Sequence, residues 1–404
     1  MAKFIIVGAG ASGMVAAINL KRKGEDVLIL EKNDKCGKKL LATGNGRCNY
    51  YNSDQELHHY YSENKELIGN IINKKTNKLV LDFFDSIGIV PRIKNDYYYP
   101  YSNTALSIEN TLVNECVRLG VIIKLNEEVI NIEKNNNKFE IRTKENNYQA
   151  DKVVISAGSS ASLKEEIGMY DILKKLGHKI VDIYPALTRL NLDEPYLKEW
   201  SGIRNDVTIK LLVNDEVIKE EAGEILYTNN GLSGICTFGV SNYAARALKE
   251  EKCVEVIINN LKDFCKTRTD FTNLMNERDK NLKDRNISEL LDSYINYKLV
   301  NILIKRSGLK SNYHWNKLDD RSKNILASNF VDLRLKVTGT DGINKSQTIS
   351  GGVPLTEINL ETMESKIVDG LYLTGEMVDI NGDCGGYNLT IAWTTALLVG
   401  GAHA

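Results

Sequence analysis

Residues 4–34, FIIVGAGASGMVAAINLKRKGEDVLILEKND, constrain the fold more than any other part of the chain. The apolar run at 4–7 predicts a buried parallel strand, and glycines at 8, 10 and 13 follow it directly. In this spacing the first glycine permits a tight turn, the second a close backbone approach to a pyrophosphate, and the third close packing of helix on strand. A helix that ends near Gly24 and a second strand, DVLIL, complete the unit.

The acid that closes the second strand indicates a nucleotide. Glu31 lies 18 residues after Gly13, near the spacing of a carboxylate that binds ribose hydroxyls. The N-terminus of the first helix presents free N–H groups and a positive dipole to phosphate. Because the Glu31 charge would repel a 2′-phosphate, NADP is disfavoured here. This motif alone leaves FAD and NAD open.

Two further stretches add candidate contacts. Residues 36–49, CGKKLLATGNGRCN, combine Gly, Lys and Arg, and such a loop can lay backbone N–H groups along a diphosphate or a flavin edge. Residues 150–158, ADKVVISAG, predict another buried strand that ends in Ala-Gly. In flavoproteins with two dinucleotide-binding motifs a strand of this kind passes the cofactor, although an ordinary sheet strand is an equally good reading.

The C-terminal segment favours FAD over NAD. GLYLTGE predicts a strand and loop that place Glu376 and Asp379 near a ribityl chain, and GDCGGYN predicts a second glycine turn. An apolar helix follows, and its N-terminus near Asn388 and Leu389 would face a ring that carries negative charge when reduced. A simple NAD dehydrogenase does not need this return of the chain, whereas the longer FAD does.

These stretches resemble the aminoacetone-oxidase-like, or BaiN/YhiN-like, flavoprotein family. The residues that carry the resemblance are VGAGASGMVAA, KKLLATGNGRCN, GEILYTNNGLSG and the long segment from TISGGVPLTEI to GGYNLTIAW. The resemblance implies an α/β fold, a two-dinucleotide-binding (Rossmann-like) FAD domain with an inserted β-barrel-like and helical domain. It also implies amine oxidation in some members and reduction of an unsaturated ring in others.

Motifs and resemblance together give one predicted set of FAD contacts and no assigned catalytic residue or metal ligand. The predicted contacts are Gly8, Gly10, Ala11, Ser12, Gly13, Glu31, Lys32, Lys39, Gly46, Arg47, Cys48, Val129, Ala157, Gly158, Gly375, Glu376, Asp379, Gly386, Tyr387, Asn388 and Leu389.

The chain departs from the family pattern in three segments beside the expected substrate cavity. The family arginine of GRVFP is Tyr97 in DYYYP, and the histidine and proline of HxGLSGP are Asn229 and Ile235. The glycine-rich GSTGDGY of the family is EEIGMYD at residues 165–171. Of the tyrosines at 97, 98, 99 and 101, we expect two to pack and one or two to line a cavity. The departures put the family substrates in doubt but not the cofactor.

Changes of pattern along the chain predict four segments. Residues 1–186 alternate strands and helices and form the first part of the FAD domain. Residues 187–262 are β-rich, 263–332 are helical, and 333–404 return to the FAD domain.

Composition narrows the class of partner. A net charge of −1, from 52 basic and 53 acidic residues, gives no electrostatic case for nucleic acid or a membrane surface. Seven scattered cysteines include no CxxC pair, which argues against zinc or a dithiol and suits the cytoplasm. We therefore expect a cytoplasmic oxidoreductase with a small-molecule substrate and, at most, a transient NAD(P)H donor. The oligomeric state stays open.

Three alternatives stay open at the level of sequence. One is a simple NAD dehydrogenase, and another is an FAD-bound scaffold that has lost turnover. The third, an RNA-modifying flavoprotein with a local basic face, is disfavoured by the neutral net charge. No histidine is an evident base: His58 and His59 are expected at a solvated helix start, His178 at a helix-to-strand turn, His314 in a polar connection and His403 in the tail. Cys384 is expected to be a small buried residue beside the flavin.

Overall fold

The computed structural model describes residues 3–161 and 168–401. Its strands are β1 (Phe4–Val7), β2 (Val27–Leu30), β3 (Tyr51–Asn52), β4 (Tyr60–Tyr61), β5 (Pro91–Lys94), β6 (Tyr97–Pro100), β7 (Ile122–Lys124), β8 (Val129–Asn135), β9 (Lys138–Thr143), β10 (Asn147–Ala150), β11 (Lys152–Ile155), β12 (Val181–Ala186), β13 (Leu190–Asp193), β14 (Arg204–Val213), β15 (Glu216–Thr228), β16 (Gly231–Ser233), β17 (Val254–Asn259), β18 (Leu333–Thr340), β19 (Thr348–Gly352), β20 (Leu371–Leu373) and β21 (Asn381–Gly382).

The α-helices lie between these strands, and two of them, α7 and α8, fall within residues 187–262, which the sequence predicts to be β-rich. They are α1 (Ala11–Arg22), α2 (Lys38–Ala42), α3 (Ile68–Ile71), α4 (Lys74–Ser86), α5 (Ala105–Arg118), α6 (Met169–Lys175), α7 (Leu197–Trp200), α8 (Ile235–Lys249), α9 (Arg268–Asn281), α10 (Ile287–Leu291), α11 (Tyr297–Arg306), α12 (Asp320–Val331) and α13 (Tyr387–Leu398). None of the helices in the described ranges combines the length and apolar character that crossing a membrane requires.

The chain divides into two compact units. The first unit comprises Met1–Ile183 and Thr348–Ala404, and the second comprises Tyr184–Gln347. Strand β18 lies in the second unit because it pairs antiparallel with both β13 and β17. Residues 333–347 therefore lie in the second unit, whereas the sequence predicts that the C-terminal segment begins at residue 333. The boundary expected between the β-rich and helical segments stays a prediction.

A five-stranded parallel sheet forms the centre of the first unit. Its order is β20-β11-β1-β2-β7, and every adjacent pair is parallel. All residues of β1, β2 and β20 are buried, as expected for strands covered on both faces. The carboxyl ends of β1, β2, β11 and β20 therefore lie along one edge, which is where open α/β sheets bind ligands.

Three small sheets lie entirely within the first unit. Strands β8, β9 and β10 form an antiparallel meander that precedes β11 in the chain. Strands β3, β6 and β5 form a second sheet in which β6 is central, and β4 pairs with β21 near the C-terminal helix.

The second unit is built on a closed barrel. Its six strands follow the order β13-β16-β15-β14-β17-β18, and α8 contacts all six of them. Val207, Ile209, Leu211, Val256 and Ile258 supply fully buried side chains by strand alternation. Helices α9 to α12 continue the same hydrophobic cluster.

Candidate functional site

The first glycine turn joins β1 to α1, where the βαβ pattern predicts it. Gly8 has a φ of +103°, and a Cβ there would lie 2.6 Å from the Ser156 carbonyl oxygen. A Cβ on Gly13 would overlap the Gly8 carbonyl oxygen, so the third glycine permits the close approach of helix and strand. A Cβ on Gly10 would meet no protein atom within 4 Å. Open space therefore lies where the motif predicts a diphosphate.

Helix α1 starts without a side-chain cap. Its N-cap is Gly10, and Ala11, Ser12 and Gly13 form a first turn without an acidic residue. The N-terminal N–H groups of this helix and the positive end of its dipole are therefore available to an anion.

Glu31 lies beside this turn at the carboxyl end of β2. Its Oε2 accepts a hydrogen bond from Ala9 N at 2.7 Å, and its Oε1 accepts one from Asn33 N at 2.9 Å. The side chain is buried, whereas the following Lys32 is half-buried. Glu127 N donates to Glu31 O, which joins the end of β2 to the segment that leads into β8, whose first residue is Val129.

An ion pair between Lys39 and Glu376 joins the loop at 36–49 to the C-terminal segment. Lys39 Nζ lies 2.8 Å and 2.7 Å from the two Glu376 carboxylate oxygens. The carboxylate also accepts from Thr348 Oγ1 at 2.7 Å, Ser159 N at 3.1 Å and Ser159 Oγ at 2.8 Å. Burial alone would raise the pKa of Glu376, but the Lys39 ammonium and these hydrogen bonds hold it below its ordinary value.

This ion pair also fixes the loop after β11. A Cβ on Gly158 would lie 3.7 Å from Glu376 Oε2, and the neighbouring Ala157 is half-buried. The carboxylate of Glu376 is thus bound by protein groups from three separate segments. Its first role in the structure is to connect those segments.

The loop at 43–48 turns sharply. Gly46 ends a short 3₁₀ turn, Thr43–Gly46, and is followed by the exposed Arg47. Cys48 is fully buried in the hydrophobic core, and burial raises the pKa of its thiol to about 12. Its side chain therefore behaves as a small apolar group, as the sequence suggests.

The C-terminal segment contacts the first glycine turn. Gly375 N donates to Thr395 Oγ1 at 2.9 Å, and a Cβ on Gly375 would lie 3.0 Å from Ser12 Oγ. Asp379 is fully buried, and its Oδ2 accepts from Ser62 Oγ at 3.1 Å and Glu63 N at 2.9 Å. The two ends of the chain therefore meet at the edge of the sheet where the sequence predicts one cofactor.

Helix α13 starts at a second glycine turn and has an uncapped N-terminus. Its N-cap, Gly386, has φ +100° and ψ −15°, and a Cβ there would lie 2.9 Å from the Tyr51 carbonyl carbon. Asn388 Oδ1 accepts from Gly382 N at 2.9 Å, and its Nδ2 donates to Gly382 O at 2.7 Å. Tyr387 is buried, and Leu389 is half-buried.

A histidine that sequence reasoning assigned to a solvated position packs against this turn. The rings of His59 and Tyr387 stack at a centroid distance of 4.5 Å. His59 Nδ1 lies 3.1 Å from Asp383 Oδ2, and Nε2 lies 3.1 Å from Asp54 Oδ2. No local sequence signal pairs His59 with Asp383, because 324 residues separate them.

Another histidine forms a buried hydrogen-bonded chain away from the turn. His178 Nδ1 lies 2.8 Å from Glu357 Oε2, and Nε2 lies 2.9 Å from Ser365 Oγ. Ser365 Oγ also accepts from the backbone N–H groups of Ile367 and Val368. Although Ser, His and Glu stand in a row, this serine is engaged in fixing a turn. His314 contacts Arg285 O, and His403 lies outside the described residues.

Strand alternation separates the tyrosines of β6. Tyr98 packs edge-on against Tyr51 at 5.3 Å, whereas Tyr97 and Tyr99 occupy the opposite face and are half-buried. A Cβ on Gly385 would lie 2.8 Å from Tyr97 Cε1. Tyr101 follows the strand, is 64% exposed, and lies under the Arg92 guanidinium.

Cys384 lies in the same turn, between Asp383 and Gly385. Burial, followed by the nearby Asp383, raises the pKa of its thiol to about 11. At neutral pH it is therefore a thiol and not a thiolate.

Two of the departures from the family pattern, Asn229 and Ile235, are exposed in the second unit, and 54% of the Ile235 surface is accessible.

Comparison with known proteins identifies the family. The chain matches the family described as "HI0933-like protein Rossmann domain" over residues 2–402. The chain belongs to this family. An HI0933-like relative, a 3-dehydro-bile acid delta(4,6)-reductase from Clostridium scindens, is 33% identical over 403 residues, or 99% of this chain and 98% of the relative. A ribosomal RNA dihydrouridine synthase from Escherichia coli is 28% identical over 97% of this chain and 95% of its own.

A solved structure agrees with this assignment at the level of fold. A 3-ketosteroid delta1-dehydrogenase from Sterolibacterium denitrificans aligns with a TM-score of 0.51 and 11% identity, and the match covers 98% of each chain. The predicted family and the predicted α/β fold with an inserted barrel are confirmed. This HI0933-like protein is a flavin-dependent oxidoreductase.

Proposed function

We propose that this HI0933-like protein binds FAD and reduces a carbon–carbon double bond that is conjugated to a carbonyl group. The observation that carries the cofactor is the pair of uncapped helices, α1 and α13, which begin at glycine turns in one unit. One N-terminus suits a diphosphate, and the other suits the end of a flavin ring that becomes negative on reduction.

The residues on the adenosine side fit FAD. Gly10 leaves open space, Ala11 to Gly13 supply free N–H groups, and Glu31 stands beside them. Glu31 Oε1 accepts from both nitrogens of Asn33, but Oε2 accepts only from Ala9 N and keeps capacity to accept from a ribose hydroxyl. FAD supplies a hydride when reduced; the chain supplies placement and charge.

The residues expected to line the ring side come from the C-terminal turn and from β6. In the proposed complex, Asn388 holds the Gly382 turn in place, while Gly386 and Tyr387 begin the helix that faces the ring. An NAD dehydrogenase would leave this second turn without a ligand. We therefore favour FAD over that alternative.

The reaction class is inferred from two relatives whose similarity covers almost the whole chain. A 3-oxo-4,6-diene steroid and a uracil ring both contain a carbon–carbon double bond conjugated to a carbonyl, and the names of the two relatives describe reduction of such bonds. Hydride addition to this type of bond is within the reach of a flavin. The relative named for ribosomal RNA makes uridine in RNA a second candidate substrate, although the charge balance favours a small molecule.

The first experiment identifies the cofactor. Purified protein should carry the absorption bands of oxidised flavin, and the released cofactor should run as FAD and not as FMN or NAD on chromatography. Colourless protein that does not take up added FAD would contradict the proposal.

The second experiment identifies the reaction. The FAD-loaded protein is reduced anaerobically with NADH or NADPH and mixed with a 3-oxo-4,6-diene bile acid, with uridine in a ribosomal RNA transcript, or with oxygen after reduction by an amine. We expect re-oxidation by one of the conjugated acceptors and a product two mass units heavier. Turnover with amine and oxygen alone would identify an oxidase. Bound FAD that no combination of donor and acceptor reduces and re-oxidises would support a scaffold without enzymatic activity.

A further inference from the structure

The face of β6 that carries Tyr97 is directed at the second glycine turn. Tyr98, between the two half-buried tyrosines, packs into the core against Tyr50 and Tyr51. Because side chains alternate along a strand, Tyr97 and Tyr99 lie on the other face. Tyr98 is as half-buried as its neighbours, but Tyr97 and Tyr99 lie on the face of the strand away from its packing on Tyr50 and Tyr51.

The ring of Tyr97 occupies the space that a side chain at residue 385 would need. A Cβ on Gly385 would lie 2.8 Å from Tyr97 Cε1 and 3.3 Å from Tyr387 Cε2. Gly385 is one residue before the N-cap of α13. The phenol of Tyr97 therefore lies next to the helix N-terminus that is expected to face the flavin ring.

The hydroxyl of Tyr97 is not used to hold the fold together. Across the part of the chain that the structure describes, neither the Tyr97 nor the Tyr99 hydroxyl makes a hydrogen bond. By contrast, the hydroxyl of the half-buried Tyr170 donates to Glu376 O at 2.9 Å, and that of the buried Tyr227 donates to Asn260 Oδ1 at 2.7 Å. A half-buried phenol without a protein partner is free to donate to a ligand.

The protonation state of this phenol suits a donor. Burial raises the pKa of Tyr97, and the nearby Cys384 and Tyr99 raise it further, so the group carries its proton at neutral pH. Tyr99 differs because the Arg47 guanidinium opposes the effect of burial on its pKa. Tyr97 is therefore the phenol beside the second glycine turn, and Tyr99 is the one beside the loop at 43–48 that carries Arg47.

We propose that Tyr97 is the catalytic acid that donates a proton to the α-carbon of the conjugated carbonyl substrate. This inference rests on the proposed function. The hydride, which comes ultimately from NAD(P)H, forms the new C–H bond at the β-carbon, and the π electrons of the double bond form the second C–H bond with the Tyr97 proton. The electron pair of the broken O–H bond stays on the phenolate oxygen, which then takes a proton from solvent.

The test compares Tyr97→Phe with Tyr98→Phe in the FAD-loaded protein. Both variants remove one hydroxyl from the same strand, but only the first removes it from the ligand-facing side. With whichever acceptor the wild type reduces, Tyr97→Phe should slow re-oxidation of the reduced protein by about 10²–10⁴-fold, the usual contribution of a general acid. Reduction by NAD(P)H should stay within twofold, and Tyr98→Phe should match the wild type in both steps.

Two further readouts separate proton donation from a structural effect. The affinity of the oxidised protein for the saturated product, measured by perturbation of the flavin absorbance, should change by less than about threefold in Tyr97→Phe, because the ring that packs on Gly385 remains. In D₂O the wild type should place deuterium on one face of the α-carbon, whereas residual product from Tyr97→Phe should contain both α-epimers.

The outcomes are distinguishable. If the wild type reduces a conjugated acceptor and Tyr97→Phe does so as fast as Tyr98→Phe and on the same face, the assignment of Tyr97 is overturned and the proposed function stands. If the wild type reduces no such acceptor, the proposed function fails and the role of Tyr97 fails with it.

Discussion

The turn at Gly8–Gly13 and the turn at Gly385–Gly386 each lead into a helix with an uncapped N-terminus, but different contacts shape them. The first combines a local contact, Gly13 on the Gly8 carbonyl, with a distant one, Gly8 on the Ser156 carbonyl of the neighbouring strand. The second is defined by distant segments alone, because Gly385 lies against the Tyr97 ring and Gly386 against the Tyr51 backbone. The first turn is therefore partly fixed within its own motif, whereas these contacts of the second require the assembled first unit.

Gly13→Val should have the largest effect, because any Cβ at this position overlaps the Gly8 carbonyl. We expect a loss of about 3 kcal/mol or more in unfolding free energy and no measurable FAD binding. Urea denaturation and flavin content of the purified protein would measure both. Gly10→Ala is the matched control: its Cβ enters open space, so the fold should be kept while FAD affinity falls. Normal flavin content in Gly13→Val would refute the role of this turn.

Gly386→Ala tests the second turn in the same way. Residue 386 has a φ of +100°, and its Cβ would press on the Tyr51 backbone, so we expect a cost of about 2–3 kcal/mol. The absorption bands of bound flavin should also shift, because the start of α13 moves. Gly24→Ala is a control, since Gly24 also has positive φ but no neighbour within 4 Å and should cost less. Equal losses in both variants would mean that backbone conformation, and not contact with Tyr51, shapes the turn.

Glu376→Gln tests the ion pair between Lys39, in the loop at 36–49, and Glu376, in the C-terminal segment of the first unit. The pair is partly accessible, with side-chain exposures of 29% for Lys39 and 20% for Glu376, so we expect about 2 kcal/mol, less than for a fully buried pair. Glu361→Gln, an exposed carboxylate in the same segment, should cost less than about 0.5 kcal/mol.

The loss in Glu376→Gln should depend on pH. Because the folded protein holds the pKa of Glu376 below its ordinary value, the stabilisation is present above that ordinary value and disappears as the pH falls through the lowered one. Denaturation curves for wild type and variant should therefore converge on acidification. A difference that grows in acid would show that the carboxylate is not stabilised by its charge.

Glu31→Gln should have the smallest effect, and that effect should be limited to binding of the adenosine part of FAD. The amide oxygen can still accept from Ala9 N, so the fold should be kept, while FAD affinity should fall about tenfold, or 1.4 kcal/mol. Equilibrium titration of the apoprotein with FAD would measure this loss. The rate of acceptor reduction at saturating FAD should not change. A changed rate with unchanged affinity would place Glu31 outside the role that we propose.

The contrast between the turns also explains which parts of the molecule could be predicted. The βαβ start follows from a pattern of fewer than about 40 residues, which is the size of one such unit, whereas the strands of the full parallel sheet come from residues as far apart as Phe4 and Leu373. His59 was assigned to solvent because its partner Asp383 is 324 residues away. Strand β18 was assigned to the wrong unit because its alternation, LRLKVTG, fits an antiparallel strand in either place. Only strand pairing distinguishes the two positions.

The first unit is made of two stretches that lie on either side of the barrel unit in the chain. A ribosome must therefore release all of Tyr184–Gln347 before β20 can pair with β11 and before α13 can form. During that interval the early strands have an open sheet edge, which is a hazard for aggregation. Supply of flavin during synthesis should consequently raise the yield of native protein only once α13 has emerged, because the second glycine turn lies at the start of that helix.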